Sequence, residues 1–317
     1  LFNVLALFSP HYKMHLQQKQ LAMERRNFIK NSALATGALW LNAACGNTMK
    51  NSNKPNIGLQ LFTLRDEIKN GLPQLIEKIA QMGYTQLETF GYQANGSFFG
   101  HSVKAFGKLL KSNDLATPSG HVYLSEYLET NNADIWKKAC DDAAELEQEY
   151  IVLPWLEEKY RQNSAEGYAK VAAMLNEMGK ISKAAGLKFA YHNHYFEFKY
   201  NEAAKTSLYQ VILEQTDPEL VFLEMDIFWV VTAGADPVTM FLQHPGRYTL
   251  WHVKDMNPTT RQNADVGTGS IDFKNIFAHK KDSGMQYFFI EQENYDVSPL
   301  ESARKSIEYV KKELVKI

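Results

Sequence analysis

At 317 residues the chain is long for an ordinary domain but suits a single (β/α)8 barrel, which takes about 250 residues. Hydrophobic residues make up 45% and charged residues 22%, as in a globular protein with one sizeable core. A net charge of −2 excludes an electrostatic grip on nucleic acid, and two cysteines exclude a disulfide framework or a thiolate zinc site. Any partner is therefore expected to be a small molecule, and any metal to sit on nitrogen and oxygen ligands.

The chain opens with a sorting segment. Arg25-Arg26-Asn27-Phe28-Ile29-Lys30 precedes an apolar run from Ala33 to Ala44. That run falls short of the roughly 20 residues that cross a bilayer and has the proportions of a signal-peptide core. The pattern resembles a twin-arginine export signal, which implies an exported bacterial protein, periplasmic or membrane-anchored. Leu41-Asn42-Ala43-Ala44-Cys45-Gly46 resembles a lipoprotein cleavage site with a lipid anchor on Cys45; simple cleavage after a small residue stays open beside it. Met23 is the natural start of such a signal. The polar tract from Asn47 to Asn56 reads as a tether, so residues 1–54 form leader and tether and residues 55–317 the barrel.

From there a short apolar run, a polar loop and an amphipathic segment recur eight times. The runs are Ile57–Phe62, Gln86–Phe90, Leu115–His121, Tyr150–Leu153, Leu187–His192, Leu220–Met225, Tyr248–Val253 and Tyr287–Ile290. The helices that follow them are expected over 72–82, 103–112, 133–147, 165–185, 203–215, 236–243, 272–281 and 299–315. Continuous apolar strands alternating with helices imply a parallel sheet buried on both faces, and eight units imply a closed barrel. A dinucleotide fold would need a glycine-rich turn after its first strand, where Thr63-Leu64-Arg65-Asp66 stands instead.

Barrel chemistry sits at the carboxyl ends of the strands, and there the polar residues gather. Strand five ends in His192-Asn193-His194, strand six in Glu224-Met225-Asp226, strand seven in His252-Val253-Lys254-Asp255 and strand eight in Glu291-Gln292-Glu293. One ligand from each, His192, Asp226, His252 and Glu291, makes an imidazole and carboxylate site suited to Mn²⁺, Zn²⁺ or Fe²⁺. Each residue alone is an ordinary structural group; four on consecutive strands are costly to bury without a cation or a network. Whether His192 or His194 is the strand-five ligand stays open. Phe62, Trp155 and Trp229 are candidates to line the pocket above this site. Gly267-Thr268-Gly269 reads as a flexible loop over the mouth rather than a phosphate cradle.

The barrel portion resembles the xylose-isomerase-like family of sugar isomerases and epimerases, which includes inosose dehydratases and endonuclease IV. The resemblance rests on Ile57–Arg65, Met82–Glu88, His192–Phe198, Asp226–Trp229, His252–Asp255 and Val266–Phe273. It implies a metal held by Glu, Asp, His and Glu from strands five to eight. Asp226, His252 and Glu291 match; His192 stands where relatives carry Glu. The family's epimerases use two glutamates on opposite faces of an enediolate, so this chain lacks one base. Glu291 remains, and His194, Glu197, Lys254 and His121 are candidates to complete the catalytic and substrate-binding set. The expected activity is metal-dependent proton abstraction beside the carbonyl of a sugar or keto-sugar, in the manner of an isomerase or epimerase. Loss of a substituent, as in a dehydratase or a 3-keto-glycoside lyase, is the alternative, and a non-catalytic sugar-binding barrel the second. Endonuclease IV needs extra histidines where Trp229 and Asn263-Ala264-Asp265 stand, so DNA is not an expected substrate. Oligomeric state is left open.

Overall fold

The computed structural model describes residues 55–161, 163–295 and 297–317. The expected leader, Cys45 and the tether lie outside the described residues. Eight parallel strands close into a barrel in chain order: β1 (Gly58–Gln60), β2 (Gln86–Thr89), β3 (Ala116–His121), β4 (Tyr150–Leu153), β5 (Lys188–His192), β6 (Val221–Asp226), β7 (Leu250–Val253) and β8 (Tyr287–Ile290). The ring is completed by Gly58 of β1 beside Phe289 of β8. A Cβ on Gly58 would lie 2.3 Å from the Phe289 ring, so glycine is what lets that ring fill the barrel.

Strand parity builds two layers inside the barrel. The lower layer is apolar, with Val152, Ala190, Leu250 and Phe289 in contact with Tyr150. Two residues onward on β5, β7 and β8, the same face carries His192, His252 and Glu291. The alternate residues, such as Ile151, Leu223, Met225, Trp251 and Val253, face outward into the main core beneath the helices. Among the described residues no helix is long and apolar enough to cross a membrane.

The principal helices are α1 (Leu72–Met82), α2 (Val103–Ser112), α3 (Ala133–Glu145), α4 (Ala165–Ala184), α5 (Leu208–Gln215), α6 (Pro237–Gln243), α7 (Phe273–Ala278) and α8 (Pro299–Tyr309). On α1, Leu72, Leu75, Ile76 and Ile79 form one buried stripe at helical spacing. Ser102, Ser164, Ser207 and Asp236 each accept a backbone N–H and start α2, α4, α5 and α6.

Departures from the expected bounds have local causes. The first strand stops at Gln60 because its side-chain carbonyl accepts from the Phe62 N–H and tightens Leu61–Leu64 into a 3-10 turn. A ladder of short strands over Tyr92–Ser102 follows β2, and a two-stranded hairpin (Tyr200–Asn201 with Thr206–Ser207) delays α5 to Leu208. The helix expected over 272–281 divides at His279, and α8 loosens into a π turn over Val310–Leu314.

Candidate active site

The upper layer of the barrel is ionisable and almost entirely buried. On β6, Glu224 pairs in register with His192 of β5, and Asp226 with His252 of β7. His192, Asp226, His252 and Glu291 each offer one ligand atom, and those atoms lie within 4.8 Å of one another. A second such group, His121, His192, Glu224 and His252, overlaps it.

The hydrogen bonds show how the groups are held. His252 Nδ1 lies 2.7 Å from Glu291 Oε2, and its Nε2 lies 2.5 Å from Glu88 Oε2. Both partners are carboxylates, so both nitrogens donate and the ring is an imidazolium. Burial opposes that charge, but Glu224, Glu291 and Glu88 outweigh it and push the His252 pKa well above the usual imidazole range. To ligate a metal, this ring must first release a proton.

Glu88 also accepts from Gln60 Nε2 at 2.7 Å and from the Ser119 hydroxyl at 2.5 Å. Burial would raise its pKa; the charges of His121 and His252 prevail and hold it at about 2. His121 Nε2 lies 2.7 Å from Glu224 Oε2 and 3.3 Å from Glu88 Oε2. Burial lowers the His121 pKa, and these carboxylates more than restore it, leaving it raised. Burial and the neighbouring Glu88 push Glu224 up to about 7.

His192 is different. Its Nδ1 lies 3.2 Å from the Pro154 carbonyl, which can only accept, so Nδ1 carries the proton and Nε2 is bare. Burial, then the positive His252 and His121, keep the ring neutral by lowering its pKa well below the usual value. The bare Nε2 has no hydrogen-bond partner and faces Asp226 Oδ2 at 3.4 Å, an oxygen whose cationic neighbour is Lys254 Nζ at 3.1 Å. Two lone pairs facing each other in a buried site repel unless a cation stands nearby. Asp226 divides its duties, since its Oδ1 accepts from Trp229 N and caps the short helix Ile227–Thr232. The residues present fit a divalent ion: a neutral imidazole steadied through its other nitrogen, a second imidazole and two carboxylates.

Lys254 supplies a fixed cation beside these carboxylates. It is fully buried, with Nζ 3.1 Å from Asp226 Oδ2, 3.2 Å from Glu291 Oε2 and bonded to Glu293. Burial disfavours the ammonium, but the three acids raise its pKa above the usual lysine value. Its partner is not Asp255, whose carboxylate instead accepts N–H bonds from Met256, Gly267, Gly269 and Ile271. The Gly267-Thr268-Gly269 segment is thus pinned from below. It is tied to the barrel rather than free to swing over the mouth.

Above this layer opens a cavity of about 430 Å³, lined by Phe62, Phe90, His121, Trp155, His192, His194 and Glu291 among others. Phe62 meets Phe90 edge-on at 5.2 Å, and Trp155 meets His194 edge-on at 4.8 Å. The sequence-predicted His192, Asp226, His252, Glu291 and Lys254 come together, with His121 and His194 beside them. Trp229 and Glu197 do not line the cavity. Trp229 stands behind Lys254 and His194, at 5.5 Å and 5.6 Å. Glu197 accepts from the Tyr191 hydroxyl at 2.7 Å and the His194 N–H at 2.9 Å, fixing the loop after β5.

Glu88 and Glu224 were not singled out from sequence. Glu224 stands two residues before Asp226, so strand parity alone places both on one face. Glu88 is a lone acid in an otherwise uncharged strand, a weaker signal, because an isolated glutamate is ordinarily solvated.

The model for the xylose isomerase-like TIM barrel matches residues 76–313. The chain belongs to that family. Relatives and solved structures agree with it. An inosose dehydratase of Clostridium tetani (strain Massachusetts / E88) is 25% identical over 305 residues, covering 83% of this chain and 98% of the relative. A sugar phosphate isomerase/epimerase structure from Parabacteroides distasonis ATCC 8503 superposes with a TM-score of 0.72 at 29% identity, covering 82% of this chain and 95% of that one. The IOLI protein, solved with a binding zinc atom, shares the fold at a TM-score of 0.61 and 14% identity, covering 82% of this chain and 98% of its own.

Proposed function

We propose that this barrel is a divalent-metal-dependent enzyme that removes a proton beside the carbonyl of a keto-sugar or keto-cyclitol and expels a β-hydroxyl. The observation that carries this reading is the bare, unpartnered His192 Nε2 facing the Asp226 carboxylate within a four-donor group under a cavity. A metal bound by His192, Asp226, His252 and Glu291 would polarise the carbonyl and acidify the neighbouring C–H.

The remaining chemistry belongs to the side chains. Burial would raise the Glu291 pKa, but Lys254 and His252 hold its carboxyl well below the usual range, so it is ionised and able to accept the proton. The C–H electron pair becomes the new carbon–carbon double bond as the β C–O bond breaks. His121, kept cationic by Glu88 and Glu224, stands on the cavity wall and hands its proton to the departing hydroxyl, which leaves as water. With His192 in place of the family's strand-five glutamate, the chain lacks a carboxylate base for the second face. That and the inosose dehydratase relatives favour elimination.

Return of the proton to the same skeleton, as an isomerase or epimerase does, is the second reading, favoured by the 29% identical Parabacteroides distasonis structure. Incubation of the metal-loaded protein with keto-sugars, 3-keto-glycosides and keto-cyclitols in D2O separates the two. Elimination gives an unsaturated product, whereas isomerisation washes deuterium into an unbroken skeleton. Metal and sugar binding with neither change would leave a sugar-binding barrel and sink both reactions. Export to the periplasm, with or without a lipid on Cys45, is part of the proposal and is supported by the Arg25-Arg26 segment.

A further inference from the structure

Only three large aromatics are strongly exposed among the described residues: Trp155 (37%), Tyr195 (40%) and Tyr200 (62%). They fall on the loops that follow β4 and β5, on one side of the barrel mouth. Trp155 lines the cavity and packs edge-on against Phe196 at 5.3 Å. Beyond Phe196 lies a separate recess of about 270 Å³, walled also by Glu158, Arg161, Asn163, Lys199 and Tyr200, charges of both signs that favour no net charge on a ligand. Tyr195 lies beside Phe196, with ring centroids 6.3 Å apart. The Arg161 guanidinium lies over the Phe196 ring, 3.3 Å from its centre, and over Trp155 at 4.9 Å, while its Nε donates to the Leu156 carbonyl.

We infer that this rim is a subsite for a second, neutral sugar ring, so that the substrate is a glycoside of at least two rings. The inference rests on the sugar-directed reading above and names the size of the substrate. An aromatic face left in water on a monomer's surface is ordinary singly, but here Trp155 lines the cavity, Tyr200 walls the recess and Tyr195 lies beside the Phe196 that parts them, a grouping of the kind that binds. Pyranose rings present C–H faces that stack on aromatic planes and hydroxyls that need nearby donors and acceptors. The recess supplies both, in Tyr200 for the face and in Asn163 and Glu158 for the hydroxyls, while Arg161 caps the Phe196 ring. The first ring sits in the cavity over the four donors, and the second crosses Trp155 onto the rim.

The test is calorimetric titration of the full chain with Mn²⁺, using glucose against a panel of α- and β-linked glucose disaccharides, on wild type and Tyr195→Ala/Tyr200→Ala. Both tyrosines are exposed, so the variant keeps its fold. At least one disaccharide is expected to bind tenfold more tightly than glucose in wild type, and that ratio is expected to fall to within twofold of one in the variant. A wild-type ratio near one for every disaccharide, or a ratio the variant leaves unchanged, overturns the subsite. A subsite that passes while no keto-sugar is turned over removes the proposed reaction alone. Turnover of single-ring keto-sugars with a ratio near one removes the subsite alone.

Discussion

Asp226 performs two tasks through separate oxygens, and this makes it the cleanest residue with which to test the metal. Its Oδ1 caps a helix while its Oδ2 faces His192. Asparagine caps a helix nearly as well as aspartate, so Asp226→Asn is expected to keep the fold but lose the metal and at least about 100-fold of activity. Asp226→Ala loses the cap as well, at a further cost of about 1 kcal/mol. Elemental analysis and thermal melts check both; stoichiometric metal in Asp226→Asn would refute the assignment. Glu197 carries the second prediction at this scale. Burial raises its carboxyl from 4.5 to about 7, and the bonds from Tyr191 and the loop backbone only partly offset that. A folded pKa above the unfolded one means that the group's contribution to stability is full below about pH 4.5 and is lost as pH rises to about 7. The loss amounts to about 3 kcal/mol, flat above that. Glu197→Gln, whose carbonyl can accept from His194 N–H while its amide donates to Tyr191, removes that slope, as denaturant midpoints at pH 5 and pH 8 would show. From sequence, Glu197 looked as close to the chemistry as His194, three residues before it. Nothing in the one-dimensional pattern says that Tyr191, which points outward from β5, draws it away from the cavity.

At the level of elements, the strand ends organise the site and the loop after β7 organises the strand ends. Asp255 collects four backbone N–H bonds from Met256 and the 267–271 segment, and a Cβ on Gly269 would lie 2.2 Å from its Oδ1. Asp255→Ala leaves four amides seeking partners and is expected to cost about 3–5 kcal/mol. Gly269→Ala forces the carboxylate aside, at about 1–3 kcal/mol. Denaturant titration measures both, and a change within 0.5 kcal/mol for Asp255→Ala would show the loop to be held by other means. All eight strands were legible from runs of apolar residues, because a parallel barrel buries both faces of each strand. The expected bounds of α1 and α2 hold too, and the structure shows why: Gly83 ends the first helix and the Ser102 side chain caps the second. The small strands over Tyr92–Ser102 and the helix Ile227–Thr232 were not legible. The former are strands of two residues with no alternation to read, and the latter continues the apolar run of β6 with no break except the Asp226 cap.

Across the whole barrel, the apolar lower layer and the ionisable upper layer set a charge balance that the proposed cation would complete. Glu88, Glu224, Asp226, Glu291 and Glu293 face Lys254 and the imidazoliums His121 and His252, so acids outnumber cations around one small volume. His252 is doubly bonded and Lys254 lies buried 3.1 Å from Asp226 Oδ2, but His192 Nε2 has no hydrogen-bond partner. A divalent ion held by the proposed four donors would bind the folded barrel and not the unfolded chain, whose donors lie on four strands far apart in sequence. At a free metal concentration 100 times its dissociation constant it adds about 2.7 kcal/mol, or about 5–10 °C in melting temperature for a domain of this size. Chelation should reverse the rise, and Asp226→Asn should show none of it. Mg²⁺ should give a smaller rise than Mn²⁺, Zn²⁺ or Fe²⁺, because two of the four donors are imidazoles. A melting temperature indifferent to all four ions would mean that Lys254 and His252 already satisfy the upper layer, and the elimination chemistry would lose the ion on which its carbonyl activation depends.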